Sequence, residues 1–157
     1  MEGRDIVVGV DGTADCDAAL MWAAGEAGRA GTRLVVVHAW QPRAVGFAPY
    51  ARPRRGTGKE EPAREVLERA VLRARAAAPG VKVAGRIVRG RPEAVLRHEA
   101  SGAALLVLGS AAHRAGDGRL GAVLLACLRW PPCPLVVVGA GHPVEPGACL
   151  PVAAAAC

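Results

Sequence analysis

Apolar residues gather into short runs separated by amphipathic or turn-rich stretches. Ile6-Val-Val-Gly-Val10 is β-branched and ends abruptly at Asp11-Gly-Thr13, after which a stripe at Cys16, Leu20, Ala23, Ala24 and Ala27 recurs with helical spacing. That pattern predicts strand, tight loop, helix. Thr13 or Asp15 is placed to cap the helix, and Gly31 to stop it before a second strand, Leu34-Val-Val-Val-His-Ala39. A second helix is expected from Glu60, with Pro62 near its first turn, acids at its start and Arg69, Arg73 and Arg75 toward its end, an order that complements the helix dipole. Pro79-Gly80 stops it. Val81-Lys-Val-Ala-Gly-Arg-Ile-Val88 alternates enough for an edge strand or one with a wet face, and Gly90-Arg-Pro92 opens a short helix that runs to Gly102. Ala104-Leu-Leu-Val-Leu108 is unbroken and apolar, as a parallel strand buried on both faces must be. A glycine-rich stretch from Gly109 to Gly121, an apolar helix from about Leu120 to Leu128, a Pro131-Pro-Cys-Pro134 break and a last strand, Leu135-Val-Val-Val138, complete the series.

Five strands alternating with four helices, joined by right-handed crossovers, predict an α/β fold, a Rossmann-like doubly wound parallel sheet. A length of 157 residues suits one such domain, expected over 1–140. Residues 40–59 hold Pro, Gly and four arginines without an acid and predict a mobile loop, and residues 141–157 a weakly ordered tail. Aromatics are only 3%, so the core must be built from Ala, Val and Leu, which let helices lie close to a sheet. No apolar run reaches the ~18 residues of a membrane span and no signal-like segment precedes the first strand, so a cytoplasmic protein is expected.

The net charge of +6 comes from 20 basic and 14 acidic residues, and of the basic ones only Lys59 and Lys82 are lysine. A GC-rich genome explains that skew as well as a phosphate-seeking surface does. Trp22, Trp40 and Trp130 are too scattered for a stacking platform, so nucleic acid is not an expected partner. Cys16, Cys127, Cys133, Cys149 and Cys157 contain no CxxC pair and no metal-ligand spacing; buried free thiols in a reducing compartment are expected, and no metal.

Ligands of such sheets bind outside the carboxyl ends of the strands, where strand order reverses. Asp11 is a lone carboxylate at one of those ends, suited to a ribose hydroxyl or, more simply, to capping the next helix. The glycines from 109 to 121 offer backbone amides and a helix N-terminus to an anion, or merely a flexible loop. Gly116-Asp-Gly-Arg-Leu-Gly121 matches GxGxxG formally, but it lies far beyond its strand, in the fourth βα turn, and lacks an acidic partner. His38 reads as a core histidine, while His113 and Arg114 are better placed to meet a phosphate. Ser110 has no acid to orient a base and no nucleophile elbow, so catalytic turnover is not expected.

Val7-Val-Gly-Val-Asp11-Gly-Thr13, Val35-Val-Val-His-Ala-Trp40, Gly90-Arg-Pro92, Leu106-Val-Leu-Gly109-Ser110 and Pro132-Cys-Pro-Leu-Val-Val-Val138, in this order, resemble the universal stress protein family over residues 5–138. The resemblance implies a five-stranded Rossmann-like sheet, a stress-linked module that binds ATP or AMP without robust catalysis, and a homodimer closed through the last strand, residues 134–138. It implies a nucleotide site made of Gly9 and Asp11 on the ribose side, the backbone at Ala39 and Leu108 for adenine, Gly109, and the amides of Gly121, Ala122 and Val123. ATP-binding members resemble Gly-x-x-Gly, nine residues, then Gly-Ser or Gly-Thr. Here Ala112 stands at the second glycine, Ala111 at the arginine that often precedes it, eight residues intervene instead of nine, and Gly121-Ala122 replaces the hydroxyl pair. Each lost hydroxyl or charged contact costs on the order of 1–2 kcal/mol, so two or three weaken binding about a hundredfold. His113, Arg114 and Arg119 are candidates to compensate, and a nucleotide-free dimeric scaffold is the alternative. If the family geometry holds, Ala112→Gly combined with Ala122→Ser restores backbone approach and one hydroxyl, and calorimetry should record tighter nucleotide binding; an unchanged affinity shows a different loop geometry.

Overall fold

Both faces of the central strand are covered, and that decides the layering. In the computed structural model, which describes residues 4–41, 60–110 and 121–139, β1 (Ile6–Gly9) is buried at every position. Around it follow α1 (Ala14–Ala30), β2 (Leu34–Trp40), α2 (Glu60–Ala77), β3 (Val83–Arg89), α3 (Pro92–Glu99), β4 (Leu105–Ser110), α4 (Ala122–Arg129) and β5 (Leu135–Gly139). The strands pair in parallel in the order β3-β2-β1-β4-β5. Their alternation sorts the core into two layers. Ile6, Val8, Leu34, Val36 and Val107 face α1 and α2, whereas Val7, Val35, Val37, Leu106 and Leu108 face α3 and α4.

Helix α1 reaches the sheet through Ala19, Leu20, Ala23, Ala24 and Ala27, all without exposed surface; apart from Cys16 the predicted stripe is buried, and Ala19 joins it. Cys16 is half-buried, and so is Cys133; Cys127 is buried, and all three are free thiols, so full burial holds for one of them. Thr13 occupies the N-cap position of α1, but its side chain does not cap the helix: its hydroxyl donates to Asp11 instead. Asp15 lies inside the first turn and is buried. Gly31 ends the helix in the left-handed conformation, as expected.

Boundaries shift where backbone pairing outlasts the sequence signal. Strand β2 runs through Trp40, because Gly90 N donates to Trp40 O at 2.9 Å and Trp40 pairs with Arg89, whose guanidinium lies 5.8 Å from the indole centroid. Helix α3 stops at Glu99 and α4 begins at Ala122 rather than Leu120. Strand β3 forms one edge of the sheet. The expected mobile loop beyond residue 41, the stretch 111–120 and the tail from 140 onward lie outside the described residues.

Strand β5 is the other edge. Leu106 N donates to Pro134 O at 2.9 Å, and in a parallel ladder this phase turns the polar groups of Val136 and Val138 toward β4. The N–H groups of Leu135 and Val137 therefore face the open side. Val137 is 39% exposed, as are Leu125, Leu128 and Trp130 to greater degrees.

Candidate functional site

At the carboxyl ends of β1 and β4, the neighbours between which the strand order reverses, lies a cavity of about 420 Å³. The eight residues of the nucleotide site implied by the resemblance, Gly9, Asp11, Ala39, Leu108, Gly109, Gly121, Ala122 and Val123, all line it. Leu96, Leu108, Val37 and Ala39 make its wall apolar, and Gly9 keeps it open: a Cβ there would stand 2.9 Å from Leu108 and Leu96. Across the cavity, α4 starts at Gly121 without a side-chain cap. The N–H groups of Ala122, Val123 and Leu124 precede the first intrahelical bond, from Leu125 N to Gly121 O, and no acid sits in that turn, so a helix dipole faces the space.

Asp11 stands at the mouth, exposed. Its Oδ1 accepts from Thr13 N at 2.8 Å and Thr13 Oγ1 at 2.6 Å. The intervening Gly12 has φ +84°, a left-handed turn that lets Thr13 fold back onto the carboxylate. Burial pushes the Asp11 carboxyl up, but the neighbouring Cys16 thiol and the donors of Thr13 outweigh it and hold the group below its ordinary value of 3.8. The Cys16 thiol is pushed up to about 12, by burial first and then by the neighbouring Asp11 carboxylate, so it remains protonated. Capping accounts for part of Asp11 only: it takes the N–H of the N-cap residue, not those of the helix's first turn.

His38 is buried, and since a carbonyl only accepts, its Nδ1–H donates to Val10 O at 2.7 Å; it is a core histidine, as expected. Ser110 is buried against the cavity. His113, Arg114 and Arg119, with Ala111 and Ala112, lie outside the described residues. Among the described residues that line the cavity none is Lys or Arg, and none of the described His, Cys, Asp and Glu form a cluster suited to a metal. No described helix is long and apolar enough to cross a membrane.

The sequence profile of the universal stress protein family matches residues 3–139. The chain belongs to that family. It is 30% identical to a universal stress protein of Mycobacterium bovis over 146 residues, 90% of this chain and 50% of the relative, and equally to one of Mycobacterium tuberculosis. The chain thus spans about half the length of the curated relatives it matches. Among solved structures it is similar to a universal stress protein in complex with cAMP, at a TM-score of 0.65 and 22% identity over 88% of this chain and 98% of that one. It is likewise similar to the universal stress protein of Archaeoglobus fulgidus in complex with dAMP, at 0.63 and 23% over 88% and 99%. At these identities the likeness establishes the Rossmann-like α/β fold.

Sequence reasoning did not place Cys16, Asp15 and Leu96 at the universal stress protein cavity, because a helical stripe shows which residues share a face but not what that face meets. The spacing of Cys16, one turn beyond Thr13, was the available signal. Gly109 was found, though its structural task is different from phosphate approach: a Cβ there would lie 2.6 Å from Asp15 O and 3.1 Å from Cys16 N. The overlap is with backbone, so Gly109→Ala must displace the start of α1. A loss of about 1–3 kcal/mol in urea unfolding is expected, and an unchanged midpoint would show that α1 can retreat freely.

Proposed function

We propose that this universal stress protein is an adenine-nucleotide-binding module, for ATP or AMP, that acts in the stress response without turnover of its own. The observation that carries this reading is one cavity in which a carboxylate, an apolar wall and an uncapped helix start face each other at the strand-order switch. The amides and dipole of α4 suit a phosphate, Asp11 suits the ribose hydroxyls, and Val37, Ala39, Leu96 and Leu108 suit a purine. The structural relatives solved with cAMP and dAMP support an adenine nucleotide as the ligand class. A carboxylate held ionised below the ordinary range keeps its acceptor role down to acid pH, and loses it as the pH falls through that lowered value.

Two measurements test the reading. Protein purified without added ligand should release a nucleotide on denaturation or bind one in calorimetry. Asp11→Ala should raise the Kd at least about tenfold, the loss of a charged hydrogen bond, while urea unfolding stays nearly unchanged because the residue lies outside the core. Wild-type protein that neither carries nor binds ATP or AMP overturns it. The scaffold alternative is favoured by one observation, the apolar first turn Ala122-Val123-Leu124, which offers a phosphate no hydroxyl.

In either reading we infer a homodimer that pairs β5 with its symmetry mate. The open N–H groups of Leu135 and Val137, with apolar side chains beside them, form an edge that no charge blunts, and a twofold contact covers it. Val137→Pro removes an outward donor and spares the ladder to β4, so sedimentation should show a folded monomer in place of the wild-type dimer. Wild-type protein that sediments as a monomer at micromolar concentration refutes the assignment.

A further inference from the structure

The loop Asp11-Gly-Thr13 has a space on either side of it. On one side is the main cavity; on the other, a groove of about 110 Å³ lies between the loop, the start of α1 and the middle of α2. Val10, Thr13 and Cys16 line both, so the two spaces meet across Thr13. Gly12 keeps the groove open: a Cβ there would stand 3.1 Å from Val66 and crowd the gap between loop and α2. The two spaces differ in charge. None of the described residues of the main cavity is Lys or Arg, whereas the groove holds Arg69 and Arg73, one turn apart on the same face of α2. Arg73 is engaged by Asp17, which also lines the groove, and that pair is close to neutral. Among the described residues Arg69 has no such counter-ion: its bond runs from Nε to the carbonyl of Glu65 at 3.4 Å, and the side chain is exposed. Resting on the nucleotide reading above, we propose that the groove is a second anion subsite, and that the ligand class is an adenine nucleotide bearing a further phosphate on its ribose, held by Arg69 with Arg73 beside it.

The sugar permits this arrangement. One ribose hydroxyl satisfies the Asp11 carboxylate, and the vicinal oxygen is then free to carry a phosphate across Thr13 into the groove. With about a quarter of the volume of the main cavity, the groove suits one phosphate group rather than a second base. A guanidinium fork matches such an anion, which accepts two parallel N–H bonds from it. Asp17 is occupied by Arg73 and leaves Arg69 to the ligand. Because Arg69 is exposed, solvent screens its charge, and the second phosphate should improve affinity about tenfold.

Calorimetry with AMP, adenosine 2′,5′-bisphosphate and adenosine 3′,5′-bisphosphate tests the subsite. Wild-type protein should bind one of the bisphosphates about tenfold more tightly than AMP, and the difference should shrink as salt is added. Arg69→Gln should abolish that advantage and leave AMP affinity unchanged, which also reports that the variant is folded. Arg129→Gln removes an equal charge from the last turn of α4 and should leave the advantage intact. Bisphosphates that bind no better than AMP overturn the second subsite and spare the nucleotide reading. An advantage that survives Arg69→Gln overturns it too, as does one that Arg129→Gln reduces equally, since that is attraction to net charge alone. Wild-type protein that binds none of the three ligands overturns the nucleotide reading and the subsite with it.

Discussion

Helix α1 lies on the sheet through Ala19, Ala23, Ala24 and Ala27, with Leu20 as the one large side chain it buries fully. Small side chains draw the helix axis toward the strands, since close packing leaves no void for water to fill. At the ligand end this approach becomes backbone against backbone, Gly109 beneath Asp15 and Cys16. The placement of Asp15 and Cys16 at the cavity wall descends from that contact. A chain poor in aromatics can build such a contact because its core offers few side chains large enough to prop the layers apart.

The cavity draws its polarity from the two helices that point into it. The N-terminus of α1 carries Asp15 and Asp17 in its first turn, so its dipole is already answered by carboxylates. That of α4 carries no acid and no cap, and it is the end left to attract an anion. The two starts face one cavity because β1 and β4 are neighbours while their chain connections leave in opposite directions. The cavity of this universal stress protein therefore presents an acceptor at one side and donors at the other without a lysine or arginine among the described lining residues.

Much of this was legible before any coordinates. The runs Ile6 to Val10 and Ala104 to Leu108 are apolar on both faces, which only a strand covered by helices twice over permits, and the alternation of such runs with helical stripes dictates a parallel, doubly wound sheet. Strand ends follow from that topology, so Asp11, Ala39, Gly109 and the glycines up to Gly121 could be named from order, whereas Gly9, Leu108, Ala122 and Val123 came from the resemblance to the universal stress protein family. Contacts across the layers could not. A helical period identifies Cys16 as part of the stripe but not that it lines the cavity beside Asp11, and glycine at 109 reads equally as loop, phosphate approach or close packing until Asp15 is found 2.6 Å from where its Cβ would be. Thr13 looks like a cap in sequence and is instead a donor to Asp11, because the left-handed turn at Gly12 brings a charged acceptor nearer than the helix amides. Local pattern determines which elements form and in what order, since period and turn chemistry act over a few residues; which side chains share a hydrogen bond depends on distances between elements, and those are set only when the layers close.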